Sequence, residues 1–266
     1  AGGDRGRHHL GGGALADVNG WQVGAFEHPL TPTVRGLLEL ETVAARLDAA
    51  CRAADPAHCH DAVAALATGL GGLAPRQLGD SLSREIRRWT DYLDGLAHRP
   101  GVDATKLDHL RSLLDQLSRR LAADWPEYFD RLTRDPWLAA YRRREEDAAS
   151  GFRPGPEAWA VLGREAAEER LGRWATELAP MRTAAETGLR LMRDALSRQT
   201  VACQPEGYEL ALPAEPASGL VRVEGPLDRI PEFLPRGSGL RLRFLDPQDL
   251  TPTTETVQAT LGWFTL

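Results

Sequence analysis

Lysine is almost missing from this 266-residue chain: all but one of its 32 lysine and arginine residues are arginine, the exception being Lys106. Abundant alanine, glycine and leucine trace part of this bias to a GC-rich genome. It also means that any positive site must recognise its ligand through a planar guanidinium fork. Cysteine is scarce as well. Cys51, Cys59 and Cys203 are too few, and odd in number, for a disulfide framework, and they point to a reducing compartment. No apolar run approaches the roughly 18 residues a membrane helix needs. The first 20 residues lack the apolar core of a secretory signal and are rich in glycine and polar groups, so 1–20 is expected to be a flexible leader or a remnant of expression. Positive charge is not in excess: the formal net charge is −6, which argues against a nucleic acid or an anionic membrane as partner.

What is present describes a folded protein. A hydrophobic share of 42% against 26% charged residues supports a packed core rather than disorder. A short extended segment at 21–26 leads to Glu27-His28-Pro29-Leu30. Thr31 and Pro32 then form an N-cap and first-turn pair, and Val34, Leu37, Leu38, Val43, Ala44 and Leu47 recur at helical spacing as far as Ala53. Asp55-Pro56 reads as a break, with a second helix over 61–70. The third helix is the clearest: Leu78, Leu82, Ile86, Trp89, Leu93 and Leu96 share one face, and Arg84, Arg87 and Arg88 lie on or near the other. A fourth begins at the Asp103 cap and carries Leu107, Leu110, Leu114, Leu117 and Leu121. Shorter pieces are expected around 127–132 and 137–146, a loop over 151–156, and two further helices over 157–178 and 181–197, parted by Pro180.

Near residue 199 the pattern changes. Segments 200–204, 208–212, 220–223, 240–244 and 256–264 cluster or alternate β-forming residues between Pro, Gly, Asp and Ser. The fold class is therefore α+β: a large N-terminal helical domain over 21–198, then a small antiparallel β domain over 199–266. No βαβ alternation suggests a nucleotide fold.

Several short motifs tempt a catalytic or metal reading. Gly79-Asp80-Ser81-Leu82 spells the GDSL hydrolase signature, but Ser81 sits within an amphipathic helix, where its hydroxyl is expected to bond its own backbone. The one Asp-x-x-His, Asp55 and His58, lies upstream of it rather than near the C-terminus. A serine hydrolase using Ser81 is thus the weakest reading. His58-Cys59-His60-Asp61, with Cys51 before it, offers metal-ligating atoms at no zinc spacing, and no metal or cofactor is expected. The glycines at 69, 71 and 72 read as a helix end rather than a dinucleotide loop, and no P-loop exists. Tyr141-Arg142-Arg143-Arg144, followed at once by three acids, reads as a locally compensated helix surface.

Arg236, Arg241 and Arg243 differ. No acidic residue lies between Glu232 and Asp246, and Leu240-Arg241-Leu242-Arg243-Phe244 is a period-two strand with both arginines on one face. They are expected to form an uncompensated strip, which composition alone reads as a solvated strand face and which is also suited to binding carboxylates.

Taken in order, a set of segments resembles the ZapD family of Z-ring-associated proteins over residues 22–246. They are Phe26-Glu27-His28-Pro29-Leu30 with Arg35, Leu38 and Glu41; Leu82-Ser83-Arg84; Pro100-Gly101-Val102-Asp103; Leu132 to Leu138; Trp174, Leu178 and Pro180 before the Leu189–Leu196 stretch; Gln204, Gly207 and Tyr208; and Leu242-Arg243-Phe244. The resemblance implies a non-enzymatic cytoplasmic protein at the bacterial division site. It implies a homodimer that binds the C-terminal tail of the tubulin-like FtsZ and bundles its filaments. The family's Pro-Gly-Gly turn with its following Cys and Phe is absent from 145–156, and two of its basic positions fall near Gly71 and Gly239 here. Arg243 and Arg84 keep basic positions, and Arg76, Arg236 and Arg241 are expected to compensate from neighbouring ones. The alternative is a divergent helical adaptor for another acidic peptide.

Overall fold

The structure is a computed structural model that describes residues 16–18, 21–23, 25–53, 55–72, 75–97, 99–146, 155–213, 216–226, 228–237 and 239–266. These fall into two compact units. A helical unit holds Pro29–Leu196 with the short segments Pro216–Leu220 and Phe264–Leu266, and a sheet unit holds the rest. The α+β class expected from periodicity is the one observed.

The helical unit comprises α1 (Pro32–Ala53), α2 (Pro56–Gly72), α3 (Pro75–Leu96), α4 (Ala104–Arg134), α5 (Pro136–Glu146), α6 (Pro156–Leu162) and α7 (Arg164–Asp194). Five of the seven open on proline, whose fixed φ suits the first turn and whose missing N–H is not needed there. That rule corrects the reading of Asp55-Pro56 as a mere break. The Asp55 carboxylate accepts from the N–H groups of Ala57 and His58 at 3.0 and 3.1 Å, so α2 starts five residues earlier than expected. Two further breaks do not occur. The piece expected at 127–132 is the last part of α4, and Pro180 lies inside a continuous α7. A mid-helix proline costs about 3 kcal/mol. Here Trp174, Leu178, Met181, Ala184 and Ala185 are buried on both sides of it, and that burial holds the helix through the lost hydrogen bond.

Trp89, Trp159 and Trp174 are the largest side chains fully buried in the unit. Polar links tie α7 to α1: Arg193 grips Glu41 with two contacts of 2.7 Å, and Arg182 reaches Asp48 at 2.8 Å. Asp135 joins three helices. Its N–H closes α4 on the Leu132 carbonyl, and its Oδ1 caps α5 through the N–H groups of Trp137 and Leu138. Its Oδ2 accepts from the Trp174 indole at 3.1 Å and from Arg170 of α7 at 3.2 Å.

The strands pair antiparallel where register is defined. Strands β1 (Ala16–Val18) and β2 (Trp21–Val23) pair with each other, so 16–18 is extended within the segment expected to be a leader; residues 1–15, 19 and 20 lie outside the described residues. β3 (Phe26–Pro29), β6 (Gly219–Glu224), β9 (Val257–Thr265) and β4 (Ser197–Cys203) form a four-stranded sheet in the order β3-β6-β9-β4. β5 (Tyr208–Ala211), β8 (Gly239–Leu245) and β7 (Ile230–Arg236) form a three-stranded sheet in the order β5-β8-β7. The sequence reading lacked β7, because Pro231 and Pro235 argue against a strand. Both fall on the same alternation of an edge strand, where every second N–H points away from the ladder and a proline is tolerated.

Candidate partner-binding surface

The three-stranded sheet places the arginines. Leu240, Leu242 and Phe244 of β8 and Leu210 of β5 are buried on one face. The buried Cys203 thiol, its pKa raised by desolvation, donates to the Leu242 carbonyl at 3.1 Å and pins the strand from that side. Alternation then turns Arg241 and Arg243 to the other face. Antiparallel register sets Arg236 of β7 opposite Gly239, so it shares that face. All three strip arginines are thus brought together, although on two strands rather than one.

The expectation that they are uncompensated fails. Arg243 lies opposite Glu232 of β7, and its Nε donates to that carboxylate. Arg241 lies opposite Glu209 of β5, with its Nε and one Nη each 2.6 Å from Glu209 Oε1. Arg236 approaches the same oxygen at 3.5 Å. Sequence distance misled here. Glu209 is 32 residues from Arg241 and enters only through strand pairing. The face is a small charge lattice of three guanidinium and two carboxylate groups, all partly exposed.

Gly239, where the family resemblance implied a basic residue, is closely confined. A Cβ there would come 2.3 Å from the Leu210 carbonyl oxygen across the ladder, so the neighbouring strand must shift before any side chain fits. Arg236, directly opposite, supplies positive charge at that end of the face.

Arg84 belongs to the helical unit. It is exposed on α3 and donates to the Ser81 hydroxyl at 3.1 Å. Ser81 therefore accepts from a neighbouring arginine rather than bonding its own backbone, and it lies mid-helix, away from the turn a nucleophile requires. Arg76 is in the first turn of α3, with its side chain outside the described residues, and Gly71 falls in the last turn of α2.

The His58-Cys59-His60-Asp61 run diverges. His58 Nδ1 sits 2.5 Å from the exposed Asp55, His60 Nδ1 meets the Tyr141 hydroxyl at 2.7 Å, and Cys59 is buried. The Asp55 carboxyl is held below its usual range chiefly by the backbone N–H of His58. Among the described residues, no group of three or more His, Cys, Asp or Glu side chains converges as a metal site would require. One concave feature escaped sequence reading: a groove of about 610 Å³ between α1 and α2, with Leu38, Val43, Ala64 and Ala65 in its lining beside Arg35 and Arg46. Nothing in the helical spacing singled it out, since Leu38 reads there as one more member of the apolar stripe of α1, and only the structure leaves it partly exposed.

The family model described as "ZapD: Cell division protein" matches residues 38–245. The cell division protein ZapD of Janthinobacterium sp. (strain Marseille) is 27% identical over 226 residues, covering 82% of this chain and 89% of its own length. That of Coxiella burnetii is 26% identical over 238 residues, covering 88% and 92%. That of Chromobacterium violaceum is 30% identical over 174 residues, covering 64% and 69%. The chain belongs to the ZapD family of cell division proteins.

Proposed function

We propose that this chain binds the C-terminal tail of FtsZ on the arginine face of the three-stranded sheet and, as a homodimer, cross-links FtsZ filaments into bundles at the bacterial division site. The observation that carries the reading is the gathering of Arg236, Arg241 and Arg243 on one partly exposed sheet face in a member of a cell division family. A guanidinium fork matches a carboxylate in shape and charge, and a flexible tail brings carboxylates at low steric cost. Two such faces in a dimer bridge two filaments, and many weak bridges along a polymer add up to avidity. The work is done by binding, with no catalytic step. Among the described residues no helix is long and apolar enough to cross a membrane, and the reading places the protein in the cytoplasm.

Co-sedimentation tests this. The chain pellets with assembled FtsZ at low salt, stays in the supernatant with FtsZ lacking its tail, and pellets less as Arg236, Arg241 and Arg243 are neutralised. Retention in the supernatant with intact FtsZ would reject it. A second reading, an adaptor for another acidic peptide, is favoured by the α1–α2 groove, where Arg35 and Arg46, two cations against the single Glu39, flank an apolar floor. It requires a pull-down from lysate to recover a dominant partner other than FtsZ, with recovery lost on Arg35→Gln.

A further inference from the structure

We propose that Glu209 and Glu232 are resident competitors on the arginine face: they hold Arg236, Arg241 and Arg243 until a partner's carboxylates displace them, and so set the affinity of that face. The inference rests on the proposed reading of this face as a carboxylate-binding surface, and concerns how its affinity is set.

The geometry supplies the argument. Every arginine of the face already has a carboxylate within ion-pair distance, Arg243 from Glu232 and the other two from a single oxygen of Glu209. These glutamates reach the arginines from the flanking strands β5 and β7, in register with β8, so backbone pairing fixes their position. They occupy the Nε edge of Arg243 and the Nε and one Nη of Arg241, and they cancel charge that an acidic peptide would meet. A carboxylate that takes that edge of a guanidinium exchanges with the one already there.

The exchange is feasible because the pairs are not sealed. The side chains of Arg243 and Glu232 are 33% and 32% exposed, those of Arg241 and Glu209 are 26% and 52% exposed, and Arg236 is 60% exposed. An ion pair at such exposure shifts an equilibrium by no more than about five-fold. Removing one resident carboxylate should therefore tighten binding by up to that factor. Glu209 should have the larger effect, because its removal releases two arginines and that of Glu232 only one. The direction distinguishes this arrangement from a purely structural lattice, in which losing a glutamate weakens the surface.

The test uses the full chain and the nearly isosteric variants Glu209→Gln, Glu232→Gln and the double variant, with folding checked by circular dichroism. Binding of a fluorescein-labelled hexa-aspartate peptide is read by anisotropy, and half-saturation of FtsZ pelleting is measured in parallel. Glu165→Gln/Glu169→Gln, which removes the same charge from exposed positions on α7 of the helical unit, controls for net charge. The expected result is about ten-fold tighter peptide binding by the double variant than by this control, with Glu209→Gln ahead of Glu232→Gln. The gain should vanish in an Arg236→Gln/Arg241→Gln/Arg243→Gln background. Peptide affinity equal to the control, or a gain that persists without the arginines, overturns the proposal. Its failure and that of FtsZ binding are separable. The expected peptide series with no FtsZ pelleting supports competition and rejects FtsZ as the partner. Unchanged peptide binding alongside tail-dependent pelleting does the reverse.

Discussion

Replacing Asp135 with alanine should destabilise the helical unit far more than a single loop carboxylate ordinarily would. Its Oδ1 caps α5 through two backbone N–H groups, and its Oδ2 serves both the Trp174 indole and Arg170. The Arg170 and Asp135 side chains are only 19% and 9% exposed, and the guanidinium also lies over the Trp137 ring at 5.4 Å. Loss of an N-cap costs about 1 kcal/mol. Breaking a fully buried ion pair costs about 3–5 kcal/mol. Arg170 keeps some solvent and an aromatic face, so a total of about 3 kcal/mol is expected, which is about 6–12 °C in Tm for a unit of this size. Asparagine should rescue little. With its oxygen toward the cap, its NH₂ faces the donors Arg170 and Trp174; turned over, it loses the cap. Urea unfolding followed by far-ultraviolet circular dichroism gives the values. An Arg170→Met background should remove about half of the Asp135→Ala penalty, because no charge is then stranded. A penalty below 1 kcal/mol, or an asparagine variant as stable as the parent, would refute the reasoning.

Gly188→Ala should cost about 1–3 kcal/mol and perturb the near-ultraviolet dichroism of tryptophan, since its Cβ would fall 1.8 Å from Cη2 of the buried Trp89; an unchanged urea midpoint would contradict this. Glu85 is fully buried, and desolvation pushes its carboxyl above the usual range against the opposing influence of Ser218, Arg88 and Trp89. Arg88 donates at 2.9 Å, whereas the nearby Ser218 hydroxyl and Trp89 indole do not reach hydrogen-bond geometry. The folded state therefore holds the proton more tightly than the unfolded state, and stability falls as pH rises from about 4.5 through the folded pKa. The Tm of the parent minus that of Glu85→Gln should decrease over that window, and a flat or rising difference would count against a protonated buried Glu85.

Much of the fold was legible because it rests on local signals. The α3 stripe from Leu82 to Leu93 and the alternation of 240–244 both recur as buried faces. Two misreadings share one cause, a tertiary override of a local breaker, whereas the late start given to α2 was a missed local cap at Asp55. Pro180 was read as an end, yet it is carried through by the burial of Trp174 and Met181. Pro231 and Pro235 hid β7 because edge-strand status is a property of the sheet. At the candidate site, the three arginines were found from their spacing, while Glu209 was out of reach because only cross-strand register brings it to Arg241. A run without acids in sequence is not a surface without acids, since each strand presents its neighbours' charges beside its own.

The most direct test of the central claim is the sedimentation of FtsZ polymers with the parent chain and with Arg243→Glu and Arg243→Gln. The glutamine variant avoids setting a second carboxylate opposite Glu232 and so keeps the fold out of question. The account predicts tail-dependent pelleting of the parent, with half-saturation raised by about ten-fold in the glutamate variant and less in the glutamine one. Equal pelleting of all three chains, or pelleting that survives removal of the FtsZ tail, would contradict it.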